Sequence, residues 1–200
     1  MSRLILASRS PRRIQLLRES KFDPYVVASE VDEISSDFFS PGELALLNAH
    51  RKAVAVAARF PDKVVLAADT IVAFGREVFG KPRDIDDARL MLNSLVGRTH
   101  VVITGVALIQ PNQRRALLHA ERTEVKFRAL SEAEIDRYLD AVNPLDKAGA
   151  YAAQDSPDLI IEYVDGSFTN VVGLPMEVVV PLLATAGIYP EQREFTAPSD

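Results

Sequence analysis

The sequence predicts an α/β fold on a mixed sheet. Apolar strand-like runs alternate with amphipathic helical segments along most of the 200 residues. Hairpin signals interrupt the crossovers, which separates this pattern from a regular doubly wound parallel sheet. The length suits one domain, or one domain with a small lobe, and hydrophobic and charged fractions of 48% and 26% are those of an ordinary globular chain.

Each element has a local cause. Leu4-Ile5-Leu6-Ala7 reads as a buried strand that passes through Ser8 and Ser10 into a helix. Ser10 is a suitable N-cap, Pro11 suits the first helical position, and Ile14, Leu16 and Leu17 supply an apolar side. Tyr25 to Ala28 reads as a short second strand, followed by the polar loop Ser29-Glu30-Val31-Asp32-Glu33. Ser40-Pro41-Gly42-Glu43 is a capping box opening a helix to about Arg59, with Leu44, Leu47, Val54 and Ala58 at helical spacing. Lys63 to Ala73 is a continuous apolar run interrupted by Asp69-Thr70, as in a central strand. A turn at Phe74 to Glu77 leads to a short return strand, Val78-Phe79.

Asp84 caps a helix to about Leu95, and Gly97 stops it. Two long strands, Thr99 to Ile109 and Arg115 to Phe127, are joined by a Pro-Asn-Gln turn. Ser131 to Glu134 is a second capping box, for a helix to about Asp140. Leu159 to Val164 and Phe168 to Val172 read as a strand pair turning at Asp165-Gly166. The last helix lies between Pro175 and Gly187, with an expected kink or restart at Pro181. The domain reading is therefore one unit over 1–189 and a polar tail over 190–200.

Several classes drop out. There is no cysteine, and hence no disulfide, thiol nucleophile or cysteine metal site. No run approaches a membrane span, and the start lacks a signal-peptide core, which sets the expectation of a cytoplasmic protein without membrane contact. A net charge of −5 argues against nucleic-acid binding through a broad basic surface but allows a small anion in a local basic cluster. Walker A, G-x-G-x-x-G, G-x-S-x-G and H-E-x-x-H patterns are missing.

What remains points to phosphate. A helix N-terminus behind Ser8 and Ser10 presents unpaired N–H groups, and Arg12 and Arg13 can grip phosphate oxygens; the alternative is a strand–helix junction with a solvated basic face. Asp69 in an apolar strand is costly unless paired, metal-bound or at an open sheet edge. It reads as a metal ligand or general base, or as a structural carboxylate paired with a buried arginine. Lys52 sits where its ammonium can stay near the apolar side of its helix, and Lys81 lies in Gly80-Lys81-Pro82. Glu33 could complete a hard-cation site with Asp69. Gln154 follows a small-residue stretch and could read a nucleobase edge. His50, His100 and His119 have no ligand spacing and read as surface or packing residues.

The blocks Leu6 to Arg13, Ala68 to Val72, Gly80-Lys81-Pro82, Gly97 to His100 with Thr104-Gly105-Val106, Asp146 to Tyr151, and Asn170 to Pro175 together resemble the Maf family, in order and spacing. The resemblance covers nearly the whole chain to the last helix. It implies an α/β fold like that of the inosine-triphosphate pyrophosphatases, with two lobes and a cleft between them. It further implies a cytoplasmic nucleoside triphosphate pyrophosphatase, a homodimer, using magnesium or manganese, in a family linked to arrest of septum formation. By matching motif, Asp69 would be the proton acceptor, Ser8, Arg13, Lys52 and Lys81 would hold the triphosphate, and Glu33 would assist at the metal. Arg12, Thr70 and Gln154 resemble the dTTP/UTP branch, where the 7-methyl-GTP branch has tryptophan, glutamine and glutamate. The chain departs from the family pattern at Ala141 to Pro144, Val96 and Asp155. A 7-methyl-GTP pyrophosphatase is the alternative within the enzyme class, and a nucleotide-binding regulator of septum formation with weak catalysis is the alternative outside it.

Overall fold

A computed structural model describes residues 3–191. In chain order the elements are β1 (Leu4–Leu6), α1 (Pro11–Glu19), β2 (Tyr25–Val26), α2 (Pro41–Ala57), β3 (Val64–Phe74), β4 (Glu77–Phe79), α3 (Ile85–Leu95), β5 (Thr99–Gln110), β6 (Arg115–Phe127), α4 (Glu132–Ala141), β7 (Ile161–Asp165), α5 (Phe168–Val172) and α6 (Met176–Thr185). The seven strands form one sheet in the order β2-β1-β3-β5-β6-β7, with β4 against the far end of β3. β1 runs parallel to β2 and β3, and every other pairing is antiparallel. The sheet is mixed, as predicted.

The long strands β3, β5 and β6 carry two packing regions end to end. Near β1, alternation sends Leu4, Leu6 and Leu66 to one face, where Leu17 of α1 and Val179 and Leu183 of α6 cover them. Ile5, Ala7, Val65 and Ala107 face the other way, onto Ala49, Ala53 and Val56 of α2. At the far end Val72, Val102 and Val125 pack with Leu92 and Leu95 of α3 and Ile135 and Tyr138 of α4. Asp69 and Thr70 fall in the middle of β3, between the two regions.

One glycine sets how closely α2 sits on the sheet. Gly105 of β5 lies opposite Asp69 in register. A Cβ there would lie 2.4 Å from the carbonyl carbon and oxygen of Ala45 in α2. Only glycine lets the helix backbone come this near, and the approach brings the α2 side chains within reach of Asp69.

Two expectations are corrected. Phe168–Val172 is a helix and not the second strand of a late pair; β7 instead pairs with β6. The Ser167 side chain accepts from the Asn170 N–H as an N-cap, and Gly173 ends the turn at φ 123°. An apolar run this short does not distinguish strand from helix by periodicity, so the caps decide. Of the kink or restart expected at Pro181, the restart is overturned: α6 continues through it, with Pro181 on the exposed side, where it forgoes one helical hydrogen bond. Of the expected 190–200 tail, 192–200 lie outside the described residues, while the Glu191 N–H donates to the Lys21 carbonyl.

Candidate active site

The N-terminal segment builds a buried arginine socket. β1 ends at Leu6, and Ser8 is buried beneath the start of α1. Its Oγ accepts from the Ser10 N–H at 3.2 Å and from Arg13 Nη1 at 3.3 Å. Ser10 occupies the N-cap position, but its side chain caps nothing. Arg13 reaches across the sheet end: Nη1 donates to the Ala68 carbonyl at 2.8 Å, Nε to the Gly173 carbonyl at 2.8 Å, and Nη2 to Thr70 Oγ1 at 2.9 Å. Gly173, at positive φ, keeps a side chain out of this point, since a Cβ would sit 3.4 Å from Thr70 Oγ1 and 3.7 Å from Arg13 Nε.

Thr70 continues the chain of bonds. Its Oγ1 lies 3.0 Å from Thr104 Oγ1, and Thr104 donates to the Asn170 carbonyl at 3.1 Å. With the Thr104 proton committed to Asn170, Thr104 accepts from Thr70, which in turn accepts from Arg13. Burial lowers the Arg13 pKa from its ordinary value, against the opposing pull of Asp69 and Glu33.

The second cluster is acidic. Asp69, 5% exposed, has Oδ1 2.6 Å from Lys52 Nζ and accepts on Oδ2 from Asn48 Nδ2 at 3.4 Å. Lys52 also donates to Glu33 Oε1 at 2.5 Å. Burial pushes the Asp69 carboxyl up and nearby Glu33 adds to this, overcoming the opposing charges of Lys52 and Arg13. Burial acts upward on Glu33 too, but its bonds with Lys52 and Asp69 and the charges of Lys52 and Lys81 leave it lowered. Of the two carboxylates, Asp69 is the one whose environment favours taking a proton.

Both carboxylates direct an oxygen at one point, Lys52 Nζ. Among the described residues no group of three or more His, Cys, Asp or Glu could hold a metal ion. A two-carboxylate set suits magnesium or manganese, which keep the rest of their shell for water and phosphate oxygens.

These clusters face a cleft of about 750 Å³ between the two packing regions. Arg12, Arg13, Glu33, Asp69, Thr70, Lys81, Asp146 and Gln154 are among the residues that line it. The volume suits a nucleotide-sized ligand. Lys81 and Gln154 are exposed and make no hydrogen bond or ion pair among the described residues. Arg12 crosses the cleft mouth, with Nη1 2.9 Å from Asp146 Oδ2 and Nη2 3.3 Å from the Asp146 carbonyl. The buried Lys147 holds the other Asp146 oxygen at 2.7 Å.

The tertiary fold thus brings all nine sequence-predicted positions to one region, with two displaced from the surface. Ser8 and Lys52 do not line the cleft. Ser8 bonds Arg13 and Lys52 bonds both carboxylates, so each supports a cleft-lining neighbour. Asn48 escaped the sequence reading, and Thr104 enters it only within its motif block, with no role. The available signal for Asn48 was its place one helical turn before Lys52, on the same face. Of the histidines, His100 is a packing residue: its Nε2 lies 2.9 Å from Tyr151 Oη, edge-on to Phe127.

The family model described as Maf-like protein matches residues 3–186. Similar curated proteins include the dTTP/UTP pyrophosphatase of Symbiobacterium thermophilum, 47% identical over 191 residues, covering 95% of this chain and 96% of that protein. That of Pyrococcus abyssi is 46% identical over 180 residues, covering 90% and 94%. That of Myxococcus xanthus is 45% identical over 185 residues, covering 92% and 93%.

Proposed function

We propose a pyrophosphatase reaction for this chain, which belongs to the Maf family: hydrolysis of dTTP and UTP to the monophosphate and pyrophosphate. The names of its relatives support the substrates. The observation that carries the chemistry is Asp69, buried, raised in pKa and held at both oxygens, at the floor of a cleft walled by Arg12, Arg13 and Lys81.

Asp69 takes the proton of a water as its oxygen attacks the α-phosphorus. The bond from that phosphorus to the α–β bridging oxygen breaks, and the electron pair leaves with pyrophosphate. Such displacement needs charge neutralisation and alignment more than covalent help. Lys81, exposed and unengaged, neutralises the leaving phosphates. Arg13 offers its remaining N–H while the rest of its fork keeps it rigid. Gln154 donates to a pyrimidine O4 and accepts from N3–H, and Arg12 sets the adjoining edge of the base site. Magnesium or manganese held by Glu33 and Asp69 supplies further charge neutralisation on phosphate oxygens.

The reading includes a homodimer in the cytoplasm; among the described residues no helix is long and apolar enough to cross a membrane. A panel of dTTP, UTP and 7-methyl-GTP with magnesium or manganese, assayed for phosphate with and without added pyrophosphatase, tests the reaction. Phosphate from dTTP and UTP that appears only with the added enzyme is the expected result. Phosphate released without it overturns α-attack, turnover of 7-methyl-GTP alone overturns the base assignment, and binding without turnover overturns the reaction. Size-exclusion chromatography with light scattering tests the dimer.

A further inference from the structure

The loop that carries Glu33 has no regular secondary structure from Val27 to Ser36. A polar loop of this kind loses much conformational freedom when held in one arrangement, so something must hold it. Two α2 side chains hold its backbone on either side of Glu33: Arg51 Nη1 donates to the Asp32 carbonyl at 3.0 Å, and buried Asn48 takes both polar groups of Ile34. Asn48 Oδ1 accepts from the Ile34 N–H at 2.8 Å, and its Nδ2 donates to the Ile34 carbonyl at 3.1 Å. The amide therefore closes a ring with both backbone polar groups of the residue next to Glu33. The same Nδ2 lies 3.4 Å from Asp69 Oδ2, and Asn48 is only 3% exposed.

One turn further along α2, Lys52 holds the other Asp69 oxygen and Glu33 itself. Two consecutive turns of one helix face thus grip the two carboxylates from below. Ile34 packs with Leu44, Ala45 and Ile71, and Gly105 lets the helix sit low enough to reach.

We propose that Asn48 is a positioning residue, a clasp that registers the Glu33 loop against Asp69 and so sets the carboxylate separation on which the reaction depends. The proposal rests on the pyrophosphatase reading for its effect on rate, while the clasp is a structural claim with its own readouts. Lys52 alone cannot do this work, because a flexible ammonium fixes a charge and not the path of the backbone. The planar amide, hydrogen-bonded at both its ends, fixes both.

The test uses the full chain and two variants. Asn48→Leu suits the apolar neighbours but removes every bond. Asn48→Asp keeps an acceptor for the Ile34 N–H and loses both donations. In Asn48→Leu we expect kcat on dTTP to fall about ten- to a hundredfold, the usual scale for residues that orient a metal's ligands. KM for dTTP should stay within about threefold, because a residue that acts through Glu33 and Asp69 changes the rate more than the binding. Manganese binding, read by calorimetry without nucleotide, should weaken about tenfold. Hydrogen exchange at the Ile34 amide should accelerate at least about tenfold, and Asn48→Asp should retain part of that protection while losing kcat as Asn48→Leu does. A folded Asn48→Leu with unchanged kcat, manganese affinity and Ile34 exchange overturns the clasp. If neither variant folds, rapid exchange of the Ile34 amide in the wild-type chain overturns it equally well. Wild-type protein that releases no pyrophosphate overturns the reaction instead, and manganese binding and amide exchange then still decide the clasp.

Discussion

The two walls of the cleft are built on opposite plans. On the inner wall, Arg13, Thr70, Asp69 and Lys52 have their bonds answered by other protein groups, through carbonyls at Ala68 and Gly173 and side chains at Thr104, Asn48 and Glu33. On the rim, Lys81 and Gln154 have no hydrogen-bond or ion-pair partner among the described residues, and Arg12 has one, Asp146, across the mouth. Substitutions that strip a buried inner-wall group of its partner therefore strike both fold and chemistry, because that group keeps its desolvation cost. Substitutions on the rim strike the ligand alone. Arg12 and Arg13 show the contrast within one dipeptide: one reaches over the mouth, the other is the keystone of the floor.

The sharpest break of this contrast is Asp69→Asn, which keeps shape and size but removes the base. Its kcat should fall by about two orders of magnitude or more, equivalent to roughly 3 kcal/mol, with a melting temperature close to wild type. Near-normal turnover would remove Asp69 from the proton step.

Acid should act on the packing behind the rim. Burial lowers the His100 pKa to about 4, so the folded protein keeps this ring neutral where an unfolded chain, with its ordinary value near 6.5, takes a proton. The unfolded state then binds more protons between those values. Stability is full above about pH 6.5, falls as pH drops towards about 4, and levels below it, by up to roughly 3 kcal/mol. Urea unfolding of wild type and His100→Gln across pH 4–7 checks this: the variant should lose that part of the slope.

Arg13→Lys keeps the charge but not the fork, leaving carbonyls at Ala68 and Gly173 short of donors. Stability should drop by about 2 kcal/mol together with activity, read by thermal melting and turnover in parallel. Lys81→Met should do less and differently. It should raise KM for dTTP about tenfold, near 1.4 kcal/mol, and leave the melting temperature unchanged. A stability loss there equal to that of Arg13→Lys would erase the distinction between the walls.

Most of the fold was legible because its causes are local. The capping boxes at Ser40 and Ser131 and the caps at Asp84 and Gly97 place helix boundaries within a residue or two, since each acts within one turn of chain. Phe168–Val172 was misread because a five-residue segment with four apolar or β-branched side chains suits either state until Ser167 and Gly173 are known to close a turn there. The site was legible as a set of motifs and not as a geometry. The motif reading includes Ser8 and Lys52, but motif matching could not say that Ser8 bonds Arg13 or that Lys52 bonds both Glu33 and Asp69.

By itself the sequence determined the α/β class, the mixed sheet, the carboxylate within β3, the cationic segments and their family, because periodicity, capping and motif spacing are properties of the chain read along its length. Only the tertiary structure decided which of those groups bond one another and which line the cleft. That choice depends on how near α2 settles over Gly105, on the carbonyls that meet Arg13 from Ala68 and Gly173, and on Asn48 finding Ile34. These are contacts between residues distant along the chain, and their distances are set by packing and by the need to satisfy buried polar groups.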